Sequence, residues 1–98
     1  NFIKPEEIVI LLGERLRKQR LFLEMSQAEV AARSGVGVNT VSNLEAGRNV
    51  SVENLVRIAM VLGRLHELQE LFQPQLNSVN DILRYESQSK RQRIKRKG

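Results

Sequence analysis

Ninety-eight residues with four aromatic side chains and no tryptophan suffice for one core of Leu, Val, Ile and Ala plus a short appendage. The absence of cysteine excludes disulfides, thiolate metal sites and cysteine nucleophiles, and no apolar run approaches bilayer-spanning length. The formal charge of +5 is unevenly placed: residues 90–98 hold six of the sixteen basic groups and no acid, so residues 1–89, with ten basic and eleven acidic groups, sum to −1. Bulk charge therefore gives the body little attraction for nucleic acid, and any such role must rest on particular residues.

In chain order, Pro5, Glu6 and Glu7 form a helix start, with proline in the first turn and acids at the positive end of the helix dipole. Ile8, Leu11, Leu12 and Leu16 follow at helical spacing, predicting a first helix to about Arg20 with these residues turned inward. Ser26-Gln27-Ala28-Glu29 reads as a capping box opening a second helix, which carries Val30 and Ala31 inward and stops at Gly35. A third helix is expected over Asn39 to Glu45, with Val41 and Leu44 on its inner face and Gly47 beyond its end. A fourth starts near Ser51 or Val52, buries Leu55, Ile58, Ala59 and Leu62, and ends at Gly63. Leu65, Leu68, Leu71 and Phe72 give a fifth apolar face that Pro74 closes.

The stretch from Gln27 to Ala46 holds two helices of about two turns joined by only three or four residues, a turn that forces them to cross steeply. Ala31 is small enough for the contact, Gly35 suits the bend, and Val36 and Val41 are branched residues suited to burial between them. The outer face of the third helix is then Val38, Asn39, Ser42 and Asn43, all short and neutral. An asparagine amide offers a donor and an acceptor together and can pair with adenine N6 and N7, while Val38 suits a thymine methyl.

With LGERLRKQR in the first helix, SQAEVAARSGV in the second, VNTVSNLEAGR in the third and SVENLVRIAMVLG in the fourth, residues 12–72 resemble the Xre/Cro/phage-repressor family of helix-turn-helix domains. The resemblance implies an all-α, five-helix lambda-repressor-like bundle, with Val38, Asn39, Thr40 and Asn43 facing bases and Gln27, Gly37 and Arg48 on phosphates. It also implies a structural pair between Arg20 and Glu45. Gly37 departs from the family pattern, in which a Ser or Thr commonly caps this helix, so only its backbone N–H is left for a phosphate. Arg33 reads as a solvated or surface-paired charge.

Residues 1–72 are accordingly assigned to the DNA-binding domain and 73–98 to an extension. In the extension, Ser78-Val79-Asn80-Asp81 is a second capping box before Ile82, Leu83 and Tyr85, predicting a short additional helix ahead of a basic tail. Leu68, Leu71, Phe72, Leu76, Ile82 and Leu83 together suit a two-fold interface. The expected partners are double-stranded DNA with a palindromic operator and a second copy of the chain. Small proteins of this type with such extensions also resemble HipB-type antitoxins, which repress their own operon and bind a kinase-type toxin. The other class of reading is a protein-interaction module that neutralises a partner, with DNA binding secondary. His66 is the lone histidine and has no nucleophile pattern beside it, so no enzyme, metal or cofactor is expected. Asn1, Phe2 and Ile3 offer no export signal, and the expectation is a cytoplasmic, nucleoid-associated protein without membrane association.

Overall fold

A computed structural model describes residues 3–97, with side chains as far as Arg91. Its elements are α1 (Pro5–Phe22), α2 (Gln27–Ser34), α3 (Val38–Glu45), α4 (Val52–Val61), α5 (Leu65–Glu70) and α6 (Val79–Lys97), with no strand among the described residues. The core lies where α2, α3 and α4 meet, around Val30, Ala31, Val41, Leu44, Ile58 and Leu62, with Met25 closing it from the loop after α1. Leu16, Val36, Val50, Leu55 and Val61 pack around this centre half-buried.

The expected punctuation governs these elements. Ser26 Oγ accepts the Glu29 N–H at 3.0 Å and Ser51 Oγ accepts the Asn54 N–H at 3.1 Å, satisfying donors that a helix start leaves open. Gly35 ends α2 at φ 74°. The first box is only half made, because the Glu29 carboxylate takes the Arg33 guanidinium at 2.7 Å instead of the Ser26 N–H. The third helix begins at Val38, one residue earlier than expected, with Gly37 as its N-cap.

Two apolar faces differ from expectation. In α1, Ile8, Leu11 and Leu12 remain exposed, and the buried residues are Gly13 and Arg20. The reason is that α1 approaches α3 through Gly13: a methyl there would overlap the Leu44 carbonyl oxygen. Only glycine permits this approach, and it brings the second half of α1 against the core while the first half extends past it. In α5 no residue is buried, Leu68 is half-buried, and Phe72, just beyond the helix, is 96% exposed. Six residues and a following extended segment are too little chain to close over that face.

The sixth helix is longer than the sequence suggested, taking in the basic stretch as far as Lys97. Ser78 Oγ caps it by accepting the Asp81 N–H at 3.1 Å, while the Asp81 carboxylate reaches the Asn77 N–H at 3.2 Å. From Val79 to Arg91 only Asp81 is even half-buried. The radius of gyration, 17.8 Å, exceeds the roughly 13 Å of a compact chain this long, because α6 stands largely clear of the bundle. No helix among the described residues is long and apolar enough to cross a membrane.

In an exposed helix Gly→Ala stabilises by about 1 kcal/mol. At Gly13 the sign is expected to reverse, with a loss of about 1–3 kcal/mol from overpacking against α3, read as a lowered urea midpoint. An unchanged or raised midpoint would show that α1 and α3 are not in this contact.

Candidate nucleic-acid interface

The third helix is held from behind. Val41 is fully buried and Leu44 nearly so, and the helix end is tied to α1 by the pair expected from the sequence. Arg20 Nε donates to Glu45 Oε2 at 2.6 Å and Arg20 Nη2 to Glu45 Oε1 at 2.9 Å, a two-pronged geometry that only arginine offers. The remaining prong, Nη1, donates to the Met25 carbonyl at 2.7 Å and so closes the loop between α1 and α2. Both side chains are nearly out of solvent, at 9% and 6% exposure. Burial pushes the Glu45 carboxyl up, but hydrogen bonds from Arg20 and Gln27, with the fields of Arg20 and Arg17, more than offset it and hold the group below its ordinary value of 4.5. The hydrogen bond to Glu45 raises Arg20 above the ordinary guanidinium value despite burial.

Gln27 Nε2 also donates to Glu45 Oε1, at 3.0 Å. This contact has no signature in the sequence, where Gln27 was the first residue of a helix and, by the resemblance, a phosphate contact. Through it one buried carboxylate fixes both α3 and the start of α2. The first-turn N–H groups of Gln27 and Ala28 have no acceptor within the helix, since Ser26 serves only Glu29. The start of α3 is similar: Gly37 supplies no side-chain cap, and among the described residues its own N–H donates no hydrogen bond. Two positive helix ends with open donors, one at the start of α2 and one at the turn into α3, are therefore available, each suited to phosphate.

Opposite Val41 and Leu44, helical spacing groups Asn39, Ser42 and Asn43, with Val38 at one edge and Thr40 at the other. Val38 and Asn39 are exposed, and Thr40, Ser42 and Asn43 are half-buried. The asparagine oxygen of Asn43 accepts Arg48 Nη1 at 3.2 Å, placing these two expected site residues together at the exit of α3. Arg33 is paired with Glu29 and Arg57 with Glu53, both on exposed surface where such pairs contribute little. Gly13 was not recognisable as a site-positioning residue beyond being a glycine inside a strong helix pattern, and Gln19, whose amide donates to the Leu62 carbonyl at 3.2 Å and so ties α1 to the end of α4, had no signal at all.

A family model described as helix-turn-helix matches residues 16–68, which is more than half of the chain, from the middle of α1 into α5. The chain belongs to this helix-turn-helix family, of the Xre or lambda-repressor-like kind. It is a DNA-binding regulator of the Xre type.

Removing one member of a buried ion pair leaves a buried charge, at a cost of about 3–5 kcal/mol, whereas replacing both by apolar groups is often neutral. Arg20→Met is expected to show the full loss in chemical unfolding, and Arg20→Met with Glu45→Leu to recover most of it. Because the folded-state value of Glu45 is depressed, its stabilisation is present above about pH 4.5 and is lost as pH falls through the lower folded-state value. Thermal melts between about pH 6 and about pH 3 are expected to fall more steeply for the wild type than for the double variant. Parallel curves would remove Glu45 as a source of acid lability.

Proposed function

We propose that this protein is an operator-specific transcriptional repressor that binds a palindromic DNA site as a homodimer. The observation that carries this reading is the outer face of α3: two amides, Asn39 and Asn43, on a helix whose inner face is buried and whose end is locked by Arg20 and Glu45. In the proposed complex Val38, Asn39, Thr40 and Asn43 meet base edges in the major groove. Gln27, the Gly37 N–H and Arg48 hold phosphates on either side, fixing the register without themselves choosing sequence.

Dimerisation is supported by the apolar surface that the bundle leaves open. A cleft of about 290 Å³ is lined mainly by the apolar Leu12, Leu16, Leu55, Ala59, Leu68 and Leu71, together with Arg15, Arg64 and Glu67, and Phe72, next to Leu71 in the chain, is almost fully exposed. The step from the lining Leu71 to the protruding Phe72, adjacent in the chain, suits mutual insertion across a two-fold axis. Dimers of this architecture read half-sites about 34 Å apart, one helical turn.

A finer reading places the chain as the autorepressing antitoxin of a HipB-like operon with a kinase-type toxin as partner. Its support is the sequence resemblance together with α6, a basic helix with no buried residue from Val79 to Arg91, a form suited to a partner's acidic surface. Charge reversal at Lys90 and Arg91 is expected to reduce recovery of a co-expressed acidic partner, and undiminished recovery would remove α6 as its docking element.

Selection of bound sequences from a random duplex library, at fixed physiological salt, tests the DNA reading. The wild type is expected to yield a palindromic consensus, and Asn39→Ala with Asn43→Ala to lose about 1–3 kcal/mol of discrimination per bidentate contact with the fold intact. No wild-type consensus would favour the protein-interaction reading. Phe72→Glu is expected to convert a dimer to a monomer in sedimentation, and a monomeric wild type would remove the dimer.

A further inference from the structure

At the end of α3 the backbone makes two hydrogen bonds around Gly47: its N–H donates to the Leu44 carbonyl at 3.1 Å, and the Arg48 N–H reaches back to the Asn43 carbonyl at 2.9 Å. With Gly47 at φ 79° this is a Schellman termination. The turn is pressed by α1, because a Cβ on Gly47 would lie 2.7 Å from Ile10 Cγ1 and 3.2 Å from Ile10 Cα. Arg48 therefore leaves a backbone anchored directly to Asn43, and its side chain folds back on the same residue, Nη1 donating to Asn43 Oδ1 at 3.2 Å.

A guanidinium has donors and no acceptor, so the amide oxygen of Asn43 faces Arg48 and the amide nitrogen is turned the other way. Of the two orientations available to an asparagine amide, one is held. The amide keeps its NH₂ and the second lone pair of Oδ1, in a fixed order, and an adenine is read only when oxygen meets N6 and nitrogen meets N7. Arg48 is itself exposed, and its further donors are available to a phosphate while Nη1 stays on Asn43. We infer that Arg48 is a positioning residue for base selection: bridging a phosphate and the Asn43 amide, it fixes the order of donor and acceptor that Asn43 presents to its base. This inference rests on the DNA-reading role proposed above for α3, and it separates Arg48 from a plain phosphate contact, which would tighten binding to every sequence alike.

Library selection with four proteins tests it. Asn43→Ala identifies the base pair that Asn43 reads, as the one whose preference relaxes. Arg48→Met retains the stem and removes every donor; it is expected to relax preference at that same pair by at least about fivefold, leave the other pairs as they are, and lower the salt slope by about one. Arg48→Lys is expected to keep the salt slope but not the preference, because one ammonium does not bridge phosphate and amide as a guanidinium does. Uniform weakening by Arg48→Met across all sequences, or full recovery of the preference with lysine, overturns the positioning role while leaving DNA reading intact. A wild type without any consensus overturns both. Thermal melts of the variants, expected to match the wild type because Arg48 is exposed, distinguish these outcomes from misfolding.

Discussion

The guanidinium of Arg20 uses three of its nitrogens at once, two on the Glu45 carboxylate and one on the Met25 carbonyl, and Glu45 in turn receives the amide of Gln27. Three helices thus converge on a single carboxylate, and the loop between two of them on the guanidinium that binds it. Two charges this far from water repay their desolvation only when the geometry is bidentate and the remaining lone pairs are met, and here both conditions hold. The consequence is positional rather than purely energetic: the end of α3 and the start of α2 cannot shift independently, so the open N–H donors of one and the amide face of the other form a single surface.

That surface owes its character to what it lacks. Residues 1–89 carry a net charge of −1, and Arg33 and Arg57 are each paired with a neighbouring glutamate, so bulk charge gives the bundle little attraction for nucleic acid. In the DNA-bound form proposed above, binding by such a body rests on directed hydrogen bonds and helix ends, which reward correct register more than proximity. The basic stretch is instead concentrated at the far end of α6.

Much of this was legible beforehand, for identifiable reasons. Ser26, Gly35, Ser51 and Gly63 act through the backbone a few residues away, so their meaning is local and survives into the structure. Val30, Val41, Leu44, Ile58 and Leu62 follow helical spacing on short elements that leave them only one way to face. Arg20 and Glu45 were paired through the family resemblance, not through spacing. What was not legible depended on long-range geometry. Ile8, Leu11 and Leu12 have the spacing of a buried face, yet they stay exposed because Gly13 sets where α1 meets α3. The bond from Gln27 to Glu45 and the fold of Arg48 back onto Asn43 join side chains whose orientations no local pattern specifies. The expected capping bond from Glu29 lost to an arginine one turn away, a competition between two local rules.

In the proposed complex the start of α2, the outer face of α3 and the turn at Arg48 meet DNA as one rigid surface. This is tested most directly by backbone amide NMR during titration with the duplex recovered from selection. The expected result is that perturbed amides cluster at residues 26–29, 37–43 and 47–48 and move together with a common affinity, with α4 little affected. Perturbations confined to α5 and α6, with α3 unmoved, would contradict it and place the DNA, or the true partner, on the other side of the molecule.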